Sequence, residues 1–262
     1  SMGWVMSAFQ GVLRCCAYGR FARAGKVLTT MLAIVGAVIP VSVAVSARAE
    51  DTARETVRGA AAGAAEQPAV TLLAFGDSLT QGYGLEQGDG LVPQLQSWLA
   101  AHGAGAVDIV NGGVSGDTTT GGLARIDWSL TPDIDAMMVM LGGNDLLRGT
   151  DPAVTGANLD GILDAGQAKG LPMMLVGMQA TANFGAGFKA EFDALYPDLA
   201  ARYDTVFVPS FYAPLTGGSD DPVQMRNLLQ ADGIHPNRDG VSKIVATLGP
   251  AVLELLDRVE AP

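Results

Sequence analysis

A serine at the end of an apolar run and one of only two histidines in the chain are the residues from which a hydrolytic site can be assembled. Ser78 lies in V-T-L-L-A-F-G-D-S-L-T-Q-G-Y, Val70 to Tyr83, where apolar and β-branched residues stop at Gly76-Asp77-Ser78. A buried strand ends in this way and delivers a hydroxyl onto a loop at the sheet's edge. That hydroxyl is a weak nucleophile until a base removes its proton. His102 follows Trp98 and Leu99 at the end of a predicted helix, where its ring suits the negative end of the dipole, and it is given that structural role. His235 is the better base. Asp232 lies three residues before it, and Pro236 disfavours a helical backbone at His235. The carboxylate can then reach one ring nitrogen and fix the tautomer while the other nitrogen faces Ser78. Taken singly, each residue has a plainer use, since a serine or aspartate ahead of a helix commonly caps it.

Attack by Ser78 on an acyl carbon creates an oxyanion that needs preorganised donors, each worth about 2.7–4 kcal/mol in the barrier. Three are available: the Ser78 backbone N–H, the Gly116 N–H in a later glycine-rich loop, and the Asn144 side-chain amide just past an apolar run. The plainer alternatives are a turn at Gly116 and a left-handed backbone at Asn144.

These residues fall between alternating strand and helix patterns. After the opening strand, Leu91, Leu95, Trp98 and Leu99 give a helix over Gly90 to Ala101, and Val107 to Val110 a short strand before the polar loop Asn111 to Thr118. A helix from Thr119 to Leu130 precedes the near-continuous apolar strand Ile134 to Leu141, which ends in the loop Gly142-Gly143-Asn144-Asp145. A helix from Pro152 to Lys169, a strand from Leu171 to Val176, a helix over Phe184 to Tyr203, a strand from Thr205 to Val208 and a last helix over Arg238 to Val259 complete the pattern. Such alternation predicts an α/β fold with a parallel sheet between helical layers. Ligand sites in these sheets lie outside the carboxyl ends of the strands, so the loops after the first three strands are expected to converge there.

The first 49 residues carry Arg14, Arg20, Arg23, Lys26 and Arg48 and no acid; removing these five charges from the net −11 leaves about −16 for the rest. So acidic a body does not suit nucleic acid and disfavours polyanionic acyl carriers. The basic residues, the apolar stretch Val27 to Ala47 and the sequence Ala47-Arg48-Ala49 predict a secretory signal ending near Ala49 and a periplasmic or secreted protein. The same stretch is about long enough to span a bilayer, so an uncleaved inner-membrane anchor is the rival, and membrane contact is expected through that segment alone. Cys15 and Cys16 both precede it, so the exported part would rely on its core without disulfides. The expected organisation is a signal or anchor over 1–49, an Ala-rich linker over 50–67 and one catalytic domain over 68–262.

F-G-D-S-L-T with Ser78, V-S-G-D-T with Gly116, L-G-G-N-D with Asn144 and D-G-I-H-P with Asp232 and His235 resemble the four ordered blocks of the SGNH (GDSL) hydrolases. The longer runs N-G-G-V-S-G-D-T-T-T-G-G-L-A-R, L-G-G-N-D-L-L-R-G and D-G-I-H-P-N-R-D are similar in particular to the bacterial thioesterase I, lysophospholipase and arylesterase branch. The resemblance covers nearly everything from Val70 onward and departs only in the long amino-terminal extension. It implies a flavodoxin-like three-layer α/β/α sandwich with a five-stranded, mainly parallel sheet. It further implies a triad of Ser78, His235 and Asp232, an oxyanion hole from Ser78, Gly116 and Asn144, and hydrolysis of esters or thioesters without metal or cofactor. The G-x-S-x-G elbow of other hydrolases is absent, because position 80 is Thr.

The acyl pocket is less legible. The glycine-rich stretch Met178 to Gly187 and the stretch Pro209 to Asp221, with Phe211, Tyr212 and Leu215, are candidate walls, and Phe184 is a candidate substrate contact. The expected substrates are small-molecule or lipid acyl esters: aryl esters, short to medium acyl chains, acyl-CoA or lysophospholipid. A carbohydrate O-acetyl esterase acting on envelope polysaccharide is the enzymatic alternative, and an envelope-binding module the non-enzymatic one. Two well-separated histidines do not provide the usual spacing of zinc ligands.

Overall fold

A computed structural model describes residues 70–217 and 225–259. The expected signal or anchor, the linker and the end of the stretch Pro209 to Asp221 lie outside the described residues. The elements are β1 (Val70–Gly76), α1 (Ser78–Gln81), α2 (Leu91–Ala101), β2 (Val107–Gly113), α3 (Thr119–Ser129), β3 (Ala136–Met140), α4 (Gly143–Arg148), α5 (Pro152–Ala168), β4 (Met173–Val176), α6 (Ala186–Tyr203), β5 (Val206–Val208), α7 (Ala213–Thr216) and α8 (Arg238–Leu256). A 3₁₀ turn, Ala182–Phe184, precedes α6.

The five strands pair in the order β2-β1-β3-β4-β5, and every pairing is parallel. The chain leaves β1 for one side of the sheet and returns to pair β3 on its other side. That reversal is where α/β sheets open a crevice at the carboxyl ends of the strands. β3 is buried at all five positions, which is why its sequence is apolar without alternation. α2 and α8 pack against each other, while α3, α5 and α6 lie side by side. Parallel strands need such crossover helices, and these bury both faces of the sheet.

The core joins Leu72, Leu73 and Phe75 of β1 and Met137 to Met140 of β3 to Leu159, Ile162 and Leu163 of α5 and Ile244, Leu248 and Val252 of α8. Close contact between α8 and α2 depends on Gly249, where a Cβ would meet the Trp98 indole. The assigned role of His102 is also seen: it follows α2, its Nδ1 lies 2.7 Å from the Trp98 carbonyl, and its ring stacks on the indole at 3.7 Å.

Two expected loops are regular structure. β2 continues through Asn111 to Gly113, with Gly112 opposite Phe75 and Gly113 opposite Gly76. A Cβ at Gly112 would press on the Leu73 side chain and the Ala74 carbonyl, and one at Gly113 on the backbone of Gln81 and the Asp77 carbonyl, so the first glycine serves close strand packing and the second the close approach of the α1 turn. The Gly-Gly-Asn-Asp stretch forms the short helix α4 after a left-handed Gly142, at φ 111°. Among the described residues no helix is long and apolar enough to cross a membrane.

Candidate active site

Each strand delivers its following loop to one edge of the sheet, and those loops enclose a cleft of about 340 Å³. Asp77 and Ser78 come from the end of β1, Ser115 and Gly116 from β2, Gly143 and Asn144 from β3, Met178 and Gln179 from β4, and Tyr212 from beyond β5. Asp232, Ile234 and His235 enter from the segment before α8. The loops from the first three strands therefore converge as their order predicted, and the last segment joins them.

Ser78 opens α1, a single turn capped by Asp77, whose Oδ1 accepts the Leu79 N–H at 3.0 Å. The turn closes on left-handed Gly82. Gly76 must be glycine because a Cβ there would meet Thr80 and the Met140 carbonyl. The chain thus bends sharply from strand to turn without a G-x-S-x-G sequence. Ser78 is 8% exposed, and its Oγ lies 2.8 Å from His235 Nε2. His235 Nδ1 lies 2.6 Å from Asp232 Oδ2. The other carboxylate oxygen of Asp232 accepts the N–H groups of Ile234 at 2.9 Å and His235 at 3.0 Å. Burial alone would raise the Asp232 pKa, but these backbone and ring hydrogen bonds hold it below the ordinary value. A negative Asp232 therefore faces the imidazole and fixes its tautomer.

The rest of the loop is braced. Tyr212 donates from its hydroxyl to the Ile234 carbonyl at 3.1 Å. The Tyr83 ring lies 4.8 Å from the imidazole centroid at a 41° tilt, and Gln230 Nε2 ties the Tyr83 carbonyl to that of Pro236 at 2.8 and 3.0 Å.

Gly116 has a left-handed backbone, φ 79°, and its carbonyl accepts from Arg148 Nη2 at 3.0 Å. Gly116 lines the cleft, and among the described residues nothing accepts from its N–H. Asn144 lies in the first turn of α4, and its Nδ2 donates to Asp77 Oδ2 at 3.1 Å. The loops after β2 and β3 are locked together by buried Asp145, which accepts from the Thr119 N–H at 2.8 Å and the Thr119 hydroxyl at 2.7 Å. Arg125 fastens the ends of β1 and β2 by donating to the carbonyls of Gly76 at 2.8 Å and Gly112 at 3.0 Å. It also pairs with Asp117 at 2.6 Å and lies over the Phe75 ring. Sequence reasoning assigned no role to Asp77, Arg125 or Asp145; only their places inside the matched blocks hinted at one.

The apolar lining comes from Leu79, Tyr83, Leu146, Leu147, Met178, Tyr212 and Ile234. Phe184 is not among the lining residues: it is 47% exposed, lies next to Gly149 and packs on Phe188 at 5.0 Å. Phe211 and Leu215 are buried in the core. No group of three or more His, Cys, Asp or Glu side chains is placed to hold a metal ion among the described residues.

Known proteins are similar to this chain in sequence and fold. Residues 74–242 match the GDSL-like Lipase/Acylhydrolase family. The chain is 36% identical over 189 residues to Esterase TesA of Pseudomonas aeruginosa, covering 72% of this chain and 90% of that protein. It is 35% identical over 173 residues to Thioesterase 1/protease 1/lysophospholipase L1 of Escherichia coli K12, covering 65% and 77%. The crystal structure of AlinE4, an SGNH-hydrolase family esterase, superposes with a TM-score of 0.57 at 43% identity, over 72% of this chain and 97% of that one.

Proposed function

The chain belongs to the GDSL-like lipase/acylhydrolase family and is a serine esterase, and on that basis we propose that Ser78, His235 and Asp232 are its catalytic triad. Ser78 Oγ attacks the acyl carbon as His235 Nε2 takes its proton, and Asp232 supports the imidazolium that forms. The N–H groups of Ser78 and Gly116 and the Asn144 amide bind the oxyanion. His235 then protonates the leaving oxygen, leaving an acyl group on Ser78. Water, activated by the same imidazole, releases the acid and restores the hydroxyl. The observation that carries this reading is the unbroken relay Ser78–His235–Asp232, at 2.8 and 2.6 Å.

The lining of the cleft supports aryl esters and short to medium acyl chains over acetylated sugars. Its side walls are Leu, Met, Ile and Tyr, with few polar groups beyond the catalytic ones to hold a sugar ring. Thioesters fit the same chemistry. Export, to the periplasm or beyond, is part of the proposal and rests on the basic and then apolar amino-terminal sequence.

The test is hydrolysis of p-nitrophenyl esters of increasing acyl length by the parent and Ser78→Ala proteins. Turnover of aliphatic esters by the parent and none by the variant is expected. Hydrolysis confined to acetylated sugars would select the carbohydrate esterase instead.

A further inference from the structure

Asp77 is 1% exposed, yet neither proton transfer nor oxyanion binding uses its carboxylate. Burial pushes its pKa up to about 6, against hydrogen bonds from Leu79 and Asn144 that pull the other way. Capping α1 does not by itself explain such a group, because a neutral Asn or Ser caps as well as Asp does. What a carboxylate adds is an acceptor that cannot donate.

We propose that Asp77 is a positioning residue that fixes the Asn144 amide, keying the oxyanion donor to the turn that carries the nucleophile. The proposal rests on the reading of Asn144 as an oxyanion donor. An asparagine amide can turn over and present its oxygen where its nitrogen was, and an oxygen facing the developing oxyanion would repel it. Asp77 Oδ2 accepts from Asn144 Nδ2 at 3.1 Å; the reversed amide would set two acceptors against each other. With one N–H held by Asp77, the other diverges from it in the amide plane and is left for the substrate. The second carboxylate oxygen accepts the Leu79 N–H at 3.0 Å, so one rigid group ties the residue after Ser78 to Asn144, which lies 67 positions beyond Asp77. Asp77 also shares the field of the site with His235 and Asp117, so loss of its charge has a second route by which it could slow the reaction.

A double-mutant cycle separates the routes. Parent, Asp77→Asn, Asn144→Ala and the double variant are assayed for kcat and KM on one p-nitrophenyl ester, with cooperative thermal melting as the check on folding. Asn144→Ala is expected to lower kcat by about 10²–10³-fold, and Asp77→Asn by about 10–100-fold, with KM within about 2-fold in both. In the Asn144→Ala background, Asp77→Asn should change kcat by less than about 3-fold, because the group it positions is gone. Asp77→Ser keeps a capping hydroxyl but is too short to reach Asn144, and it should behave like Asp77→Asn; it replaces that variant if Asp77→Asn does not fold. Equal losses in the presence and absence of Asn144 would overturn the proposal and assign the effect to the field at His235. A fall with Asn144→Ala and none with either Asp77 variant would also overturn it. No fall with Asn144→Ala would instead remove the oxyanion reading on which the proposal stands.

Discussion

Replacing Asp77 by Asn should make the protein more stable at neutral pH while making it a poorer enzyme. The folded-state pKa is pushed from 3.8 to about 6, so the folded state holds a proton that the unfolded chain has released. The stability associated with that proton is fully present below pH 3.8 and is lost as pH rises through about 6. At pH 8 a difference of about two pKa units corresponds to ~3 kcal/mol of lost stability, at 1.36 kcal/mol per unit. Asn has nearly the same shape and no charge, so it should recover most of this. For a domain of this size each kcal/mol moves the melting temperature by about 2–4 °C, giving a rise of about 6–12 °C at pH 8. The assay is thermal melting of parent and variant from pH 4 to pH 8, read as the difference between them so that other carboxylates cancel. The difference should grow through the pH 4–6 window and level off above it. A variant no more stable than the parent at pH 8, or a difference that ignores pH, would refute the claim that the buried charge is costly.

Other substitutions probe the relay and the frame. Asp232→Asn removes the charge facing the imidazole and allows the wrong tautomer, so kcat should fall by about 10⁴-fold, as measured by ester turnover, with the melting temperature little changed. Gly249→Ala drives a methyl group into the Trp98 indole and should cost about 1–3 kcal/mol in denaturant unfolding while the site still turns over substrate. Replacing Leu147, exposed at the cleft rim, by Trp narrows the apolar cleft. The acyl-length profile on p-nitrophenyl esters should then shift toward shorter chains, and an unchanged profile would take Leu147 off the acyl path.

The strands and longer helices were legible because their patterns are local: an unbroken apolar run for β3, leucines at helical spacing for α2. Ser78, Gly116 and Asn144 stood out because each follows an apolar run in a polar or glycine-rich stretch, and His235 with Asp232 because the chain has only two histidines and the pair is three residues apart; the fold brings all five to one cleft. Gly112 and Gly113 were mistaken for loop because glycine marks turns far more often than strands; a side chain is excluded at Gly112 by Leu73 and the Ala74 carbonyl and at Gly113 by the Gln81 backbone and the Asp77 carbonyl, contacts that no local pattern shows. α4 has six residues, too few to display a helical period. The bond from Asp77 to Asn144 joins residues distant in the chain, and no local pattern announces it. Phe184 illustrates the opposite failure. An aromatic after β4 is as apt to pack as to bind, and the 3₁₀ turn sends it to Phe188 and Gly149 rather than to the cleft.

The central claim is that the Ser78 hydroxyl, activated by His235, carries the acyl group. The most direct measurement is reaction of the protein with a p-nitrophenyl phosphonate ester, followed by mass spectrometry of its peptides. One phosphonyl group per chain on Ser78, formed in step with loss of esterase activity and absent from His235→Ala, is the predicted result. Full loss of activity with the label on another residue, or full activity after Ser78 is labelled, would contradict it.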